Sequence, residues 1–144
     1  MKILISHCFL GENCKYNGGN NYNAELLNVL KNHELIPVCP ETFGGLKSPR
    51  FPAEIVGDKV LFSDGSDVTQ AFVNGAKKAL EIAKAQGVKV AVLKANSPSC
   101  GSGIIYDGTF TGKKVSGYGV AAKLLMENGI KVYSEQDIEE IKKL

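Results

Sequence analysis

In Val88-Lys89-Val90-Ala91-Val92-Leu93-Lys94-Ala95-Asn96-Ser97-Pro98-Ser99-Cys100-Gly101-Ser102-Gly103, a short apolar run opens into a loop of small residues that carries one cysteine. The run over 88–93 predicts a buried β-strand, because it is β-branched and lacks the polar face of an exposed element. Pro98 bars a helix from starting at once and biases Ser97 to an extended backbone. Gly101 and Gly103 let the main chain approach a ligand closely. Hydroxyls and free backbone N–H groups thus surround one thiol.

The same pattern recurs outward from this stretch. Ile3-Leu4-Ile5 ends in Ser6-His7-Cys8, and Leu35-Ile36-Pro37-Val38 ends in Cys39-Pro40-Glu41. Pro37 removes a ladder donor, so that strand lies at a sheet edge or turns this position away from a partner. Ile130-Lys131-Val132-Tyr133 predicts a fourth strand. Between the strands lie helical patterns. Asn23 caps a helix bearing Leu26, Leu27 and Leu30 and reaching His33, and Asp67-Val68-Thr69-Gln70 has the form of a capping box before Ala71 to Ala83, with Gly87 as the stop. Gly117 to Glu127 predicts a third helix, and Ser134-Glu135-Gln136-Asp137 starts a fourth bearing Ile138, Ile141 and Leu144. Glu54 to Phe62 and Ile104 to Phe110, the latter turning at Asp107-Gly108, predict two small hairpin insertions. Gly11 to Asn21, dense in Gly and Asn, predicts a long loop. Alternating short apolar strands and helices imply an α/β three-layer sandwich around a four-stranded parallel sheet. Right-handed crossovers favour the flavodoxin-like, Rossmann-like order 2-1-3-4.

At 144 residues the chain fits a single domain spanning 1–144. A net charge of +2 with acids and bases interspersed gives no basic stripe for nucleic acid. No apolar run approaches a bilayer span and no signal-like start is present, so no membrane role and a cytoplasmic location are expected. The expected assembly is a monomer or weak homodimer. In a reducing compartment, Cys8, Cys14, Cys39 and Cys100 are expected unpaired and available for metal or catalysis.

In a parallel sheet every strand's C-terminal end lies on one edge, where ligands bind at the switch in strand order. Cys8, Cys39 and Cys100 each follow a different strand there, and in order 2-1-3 those strands are neighbours. Three thiolates therefore converge. Cys14, in the long loop, lacks this positional logic and is open to three readings, a fourth ligand, a surface thiol or a passenger, of which its loop position favours the last two. Three thiolates without an obvious fourth suit a zinc site with an open position or an iron-sulfur cluster with one free iron.

Several further runs agree in order and spacing with one bacterial family. Cys8-Phe9-Leu10-Gly11, Tyr16-Asn17-Gly18-Gly19, Cys39-Pro40-Glu41, Gly44-Gly45-Leu46-Lys47-Ser48-Pro49-Arg50, Pro52-Ala53-Glu54, Asp67-Val68-Thr69, Ser97 to Gly103 and Ile105-Tyr106-Asp107-Gly108 resemble the family represented by thiouracil desulfidase. The resemblance implies a 4Fe-4S cluster held by Cys8, Cys39 and Cys100, and non-redox removal of sulfur from a thiolated, nucleobase-like pyrimidine. Where relatives tend to carry Arg-Tyr-Asp-Gly, this chain has Lys15-Tyr16-Asn17-Gly18, which removes a guanidinium fork and a negative charge. On this reading Glu41 is the general base, and Ser97 and Ser99 hydrogen-bond the substrate or the departing sulfide. Lys47 and Arg50 are available for substrate oxygens, and His7 points away by strand alternation. The alternative is a non-catalytic iron-sulfur or zinc-binding module.

Overall fold

The computed structural model describes residues 1–144. Its elements run β1 (Lys2–Ser6), a 3-10 turn (His7–Leu10), α1 (Ala24–Val29), β2 (Glu34–Val38), α2 (Pro40–Phe43), β3 (Ala53–Val56), β4 (Lys59–Phe62), α3 (Thr69–Gln86), β5 (Val90–Leu93), β6 (Ser102–Tyr106), β7 (Lys114–Tyr118), α4 (Val120–Glu127), β8 (Lys131–Ser134) and α5 (Ile138–Ile141). The central sheet has order β2-β1-β5-β8 and is parallel throughout. This is the expected 2-1-3-4 arrangement, with β2 at the edge that tolerates Pro37.

Strand alternation divides the core into two layers. Leu4, Val38, Ala91, Leu93 and Val132 face Ala83, Ala122 and Leu125 of α3 and α4. Ile3, Ile5, Val90 and Val92 face Leu26, Leu30 and Ile141 of the α1 and α5 side. Both faces of the sheet are thus covered, which is why the central strands carry the apolar runs Ile3-Leu4-Ile5 and Val90-Ala91-Val92-Leu93.

Several local expectations differ. The first helix ends at Val29, so His33 lies in the following turn, where its Nδ1 is 3.2 Å from the N-terminal nitrogen. Asp67 does not form a capping box; its Oδ1 accepts from Thr69 N, and Gln70 reaches Asn74. The second hairpin is longer than Ile104 to Phe110, since β6 pairs with β7 and Ser102 lies opposite Tyr118. Gly117 and Tyr118 therefore belong to a strand, and α4 starts at Val120.

Two glycine contacts fix the site-bearing loops. A Cβ on Gly75 of α3 would collide with the Pro40 carbonyl, and one on Gly44 with the Ala71 carbonyl. The small face of α3 therefore lets α2 lie backbone to backbone against it. Gly119 N donates to Gly101 O at 2.7 Å, and a Cβ at Gly119 would sit 2.5 Å from the Ser99 carbonyl carbon. The loop carrying Cys100 is in this way wedged against the start of α4.

Candidate active site

At the C-terminal edge of the sheet lies a cavity of about 400 Å³. Cys8, Cys39 and Cys100 all line it, in the 3-10 turn after β1, at the N-cap of α2 and in the loop after β5. Glu41, Ser97 and Ser99 line it too. So does Cys14, which is not a surface thiol: it is 8% exposed, and its side chain is hydrogen-bonded to those of Cys8 and Cys39. The loop folds inward because Arg50 N donates to Tyr16 O and Arg50 Nη2 to Cys14 O.

The four thiols are electrostatically unequal. Cys39 is lowered to about 6 by the Cys14 hydrogen bond, with Thr42 Oγ1 at 3.2 Å from its sulfur adding to the effect. Cys8 is lowered to about 7, again first by Cys14, helped by Asn21 Nδ2 at 3.3 Å. Cys14 is raised well above the usual thiol value by its side-chain hydrogen bonding with Cys39 and Cys8 and by burial. Burial pushes Cys100 up to about 12, partly offset by the Ser99 and Ser6 hydroxyls, each 3.6 Å away. Cys39 is thus the most readily ionised of the four and Cys8 the next, while Cys14 and Cys100 keep their protons.

Beside the thiols runs a continuous hydrogen-bonded line. Arg50, with a 6% exposed side chain, donates from Nε and Nη2 to Glu41 Oε1 at 3.2 and 3.0 Å. Glu41 Oε2 accepts from Ser99 Oγ at 2.8 Å, and Ser99 Oγ lies 2.9 Å from Ser97 Oγ. A serine hydroxyl has one hydrogen, so with Ser99 donating to the carboxylate, Ser97 is the donor to Ser99. Ser97 Oγ in turn accepts from Ser99 N and Cys100 N, both at 3.1 Å. Arg50 is thus spent on Glu41 and on the Cys14 and Lys47 carbonyls rather than turned toward a substrate. Lys47 does not line the cavity, whereas His7 does, with its Nε2 4.0 Å from Glu12.

The donors fit an iron-sulfur group. They are all soft sulfur atoms sharing one cavity, the donor type an iron-sulfur cluster takes. The hydroxyl and amide donors on the sulfurs are the partners such a group needs. Sequence reasoning missed Ser6, Asn21 and Thr42 in this role, since each acts through a contact that no local motif announces.

The model of the 2-thiouracil desulfurase family matches residues 3–137. The chain belongs to that family. A relative, the uncharacterized protein YbbK of Bacillus subtilis, is 41% identical over 149 residues, covering 96% of this chain and 99% of that protein. Among solved structures, TudS, a [4Fe-4S]-dependent thiouracil desulfidase, superposes with a TM-score of 0.91 at 42% identity, covering 97% of this chain and 94% of that one. The desulfurase resemblance carried by the cysteine loops and the Cys39-Pro40-Glu41 run is borne out, and so is the flavodoxin-like sheet.

Proposed function

We propose that this chain exchanges the sulfur of a thiolated pyrimidine for oxygen without net electron transfer, using a [4Fe-4S] cluster held by Cys8, Cys39 and Cys100. The observation that carries the reading is the line Arg50, Glu41, Ser99, Ser97, which runs alongside Cys100 in the wall of the thiol cavity. Family membership and the likeness to TudS support the cofactor and the substrate class. Held by Cys8, Cys39 and Cys100, such a cluster would supply an iron free to act as a Lewis acid toward a soft thiocarbonyl sulfur.

The protein's own part is proton handling. In the overall exchange, water and C=S become C=O and hydrogen sulfide: the C–O bond forms, the C–S bond breaks, and both water hydrogens leave on sulfur. Glu41 takes the proton of the attacking water. Arg50 clamps Oε1 and so fixes the carboxylate's orientation, leaving Oε2 directed at Ser99. Once protonated, Glu41 can donate back to Ser99 Oγ, which frees the Ser99 hydrogen for a group leaving beside Cys100. Cys14, whose carbonyl is held by Arg50, is left outside the ligand set.

Glu41→Gln tests this reading. The amide is nearly isosteric and Glu41 is not a proposed ligand, so the cluster spectrum should persist while turnover falls about a hundredfold to ten-thousandfold. Undiminished turnover with an intact cluster would remove Glu41 from the chemistry.

A further inference from the structure

A second carboxylate faces the same cavity. Glu54, on β3, is only 9% exposed, yet no lysine, arginine or histidine pairs with it. Its Oε1 accepts from Gly108 N at 2.9 Å and Phe110 N at 3.2 Å, which ties it to the turn between β6 and β7. That turn approaches closely enough that a Cβ on Gly108 would lie 2.6 Å from the Ile55 carbonyl oxygen. Oε2 has no protein partner. No side-chain oxygen or nitrogen is both buried and unpartnered in this protein, so Oε2 keeps contact with open space, and Glu54 lines the cavity wall along with Tyr106 and Asn96.

A carboxyl group this buried is costly unless its remaining lone pairs find a donor. The turn anchors one oxygen by its backbone, and the other is left for whatever enters. We infer that Glu54 is the residue that recognises the pyrimidine ring, with Oε2 accepting the N3–H of the substrate. This rests on the proposed substrate class. N3–H is the one ring donor that flanks a thiocarbonyl at either C2 or C4, so a single fixed acceptor beside the thiols serves both positions. Because Oε1 is immobilised, the free oxygen is preorganised, and a ring lacking that hydrogen leaves it buried without a partner. Glu54 is therefore a specificity-determining residue, separate from the Glu41 proton line.

The test is equilibrium binding to the cluster-loaded protein, by calorimetry under anaerobic conditions, with uracil, 1-methyluracil and 3-methyluracil as probes. The wild type should bind uracil and 1-methyluracil alike and 3-methyluracil at least tenfold more weakly. Glu54→Gln keeps an oxygen for Gly108 N and Phe110 N but offers an amide N–H to the ring, so it should weaken uracil binding about 10- to 100-fold. It should add little to the deficit of 3-methyluracil, because that interaction is already absent. Equal wild-type affinity for all three probes overturns the assignment without any variant. An equal loss of both methylated probes in Glu54→Gln overturns it as well. Sulfide release from 2-thiouracil or 4-thiouracil by the same preparation separates the two ideas: wild-type turnover with no N3 discrimination sinks the Glu54 role alone, and no turnover with either substrate sinks the substrate reading and this inference with it.

Discussion

Replacing Arg50 with Met removes a guanidinium that makes four hydrogen bonds: two to Glu41 Oε1 at 3.0 and 3.2 Å, one to Cys14 O at 2.9 Å and one to Lys47 O at 3.1 Å. Methionine fills much of the same volume, so the cavity contribution is small and the cost is electrostatic. Removing one partner of a buried ion pair costs about 3–5 kcal/mol, because the other charge is left uncompensated. Glu41 keeps a 16% exposed side chain and its Ser99 bond, which places the expected loss near the lower end, about 3 kcal/mol. At roughly 2–4 °C per kcal/mol for a chain of this size, the melting temperature should fall by about 6–12 °C. Arg50→Lys keeps the charge but loses the fork, and about 1–2 kcal/mol is expected. The decisive comparison is a double-mutant cycle by urea unfolding of cluster-free protein, where a single transition is measured. Arg50→Met combined with Glu41→Gln should cost less than the sum of the single changes by about 1.5–3 kcal/mol, because the double variant leaves no unpaired charge. Additivity to within about 0.5 kcal/mol would refute the ion pair as the device that holds Glu41.

Other outcomes follow from the same geometry. Gly75→Ala should lower stability by more than about 2 kcal/mol and reduce turnover though it touches no substrate, because its Cβ displaces the Pro40 carbonyl and with it Glu41; an unchanged melting temperature and rate would contradict the close packing of α2 on α3. In cluster-free protein, alkylation should be fastest at Cys39, which is partly exposed and held near 6; the thiolate is the reactive form, so the rate should fall as pH drops through about 6. Cys14→Ala removes the principal donor that lowers Cys39, so this pH midpoint should move upward, and a midpoint left in place would show that Cys14 is not the cause. Cys8→Ser, Cys39→Ser and Cys100→Ser should each abolish stable iron binding, measured as iron and acid-labile sulfide per chain, whereas Cys14→Ser should largely retain it; equal loss at Cys14 would make it a ligand.

How much of this was legible in the sequence depended on whether an element was specified locally. The strand before Cys100 is apolar on both faces because both faces are buried, and the cysteines after β1, β2 and β5 meet because parallel strands end on one edge. Asn23 capped its helix as read, with Oδ1 accepting from Leu26 N. Cys14 was misjudged because its burial comes from Arg50, 36 residues away, whose guanidinium grips the Cys14 carbonyl. Arg50 itself looked like a loop cation available to substrate, since nothing local reveals that Glu41 occupies its fork. β7 was missed because Lys114, Val115, Ser116, Gly117 and Tyr118 carry no apolar alternation: most of the strand faces away from the core, and it is held by pairing with β6. The short helix α2 had a signal in Pro40 at its first position, but four residues give no periodicity to read.

Hydrolysis of a thiocarbonyl through a cluster on Cys8, Cys39 and Cys100, as proposed, is tested by product stoichiometry. Anaerobically reconstituted protein is incubated with 2-thiouracil in the absence of any reductant or oxidant, and sulfide and uracil are quantified together with bound iron. Sulfide and uracil should appear one for one over many turnovers, only in preparations that hold iron, because exchange of sulfur for oxygen moves no net electrons. Turnover that requires an added electron donor, or iron-loaded protein that releases no sulfide, would contradict it.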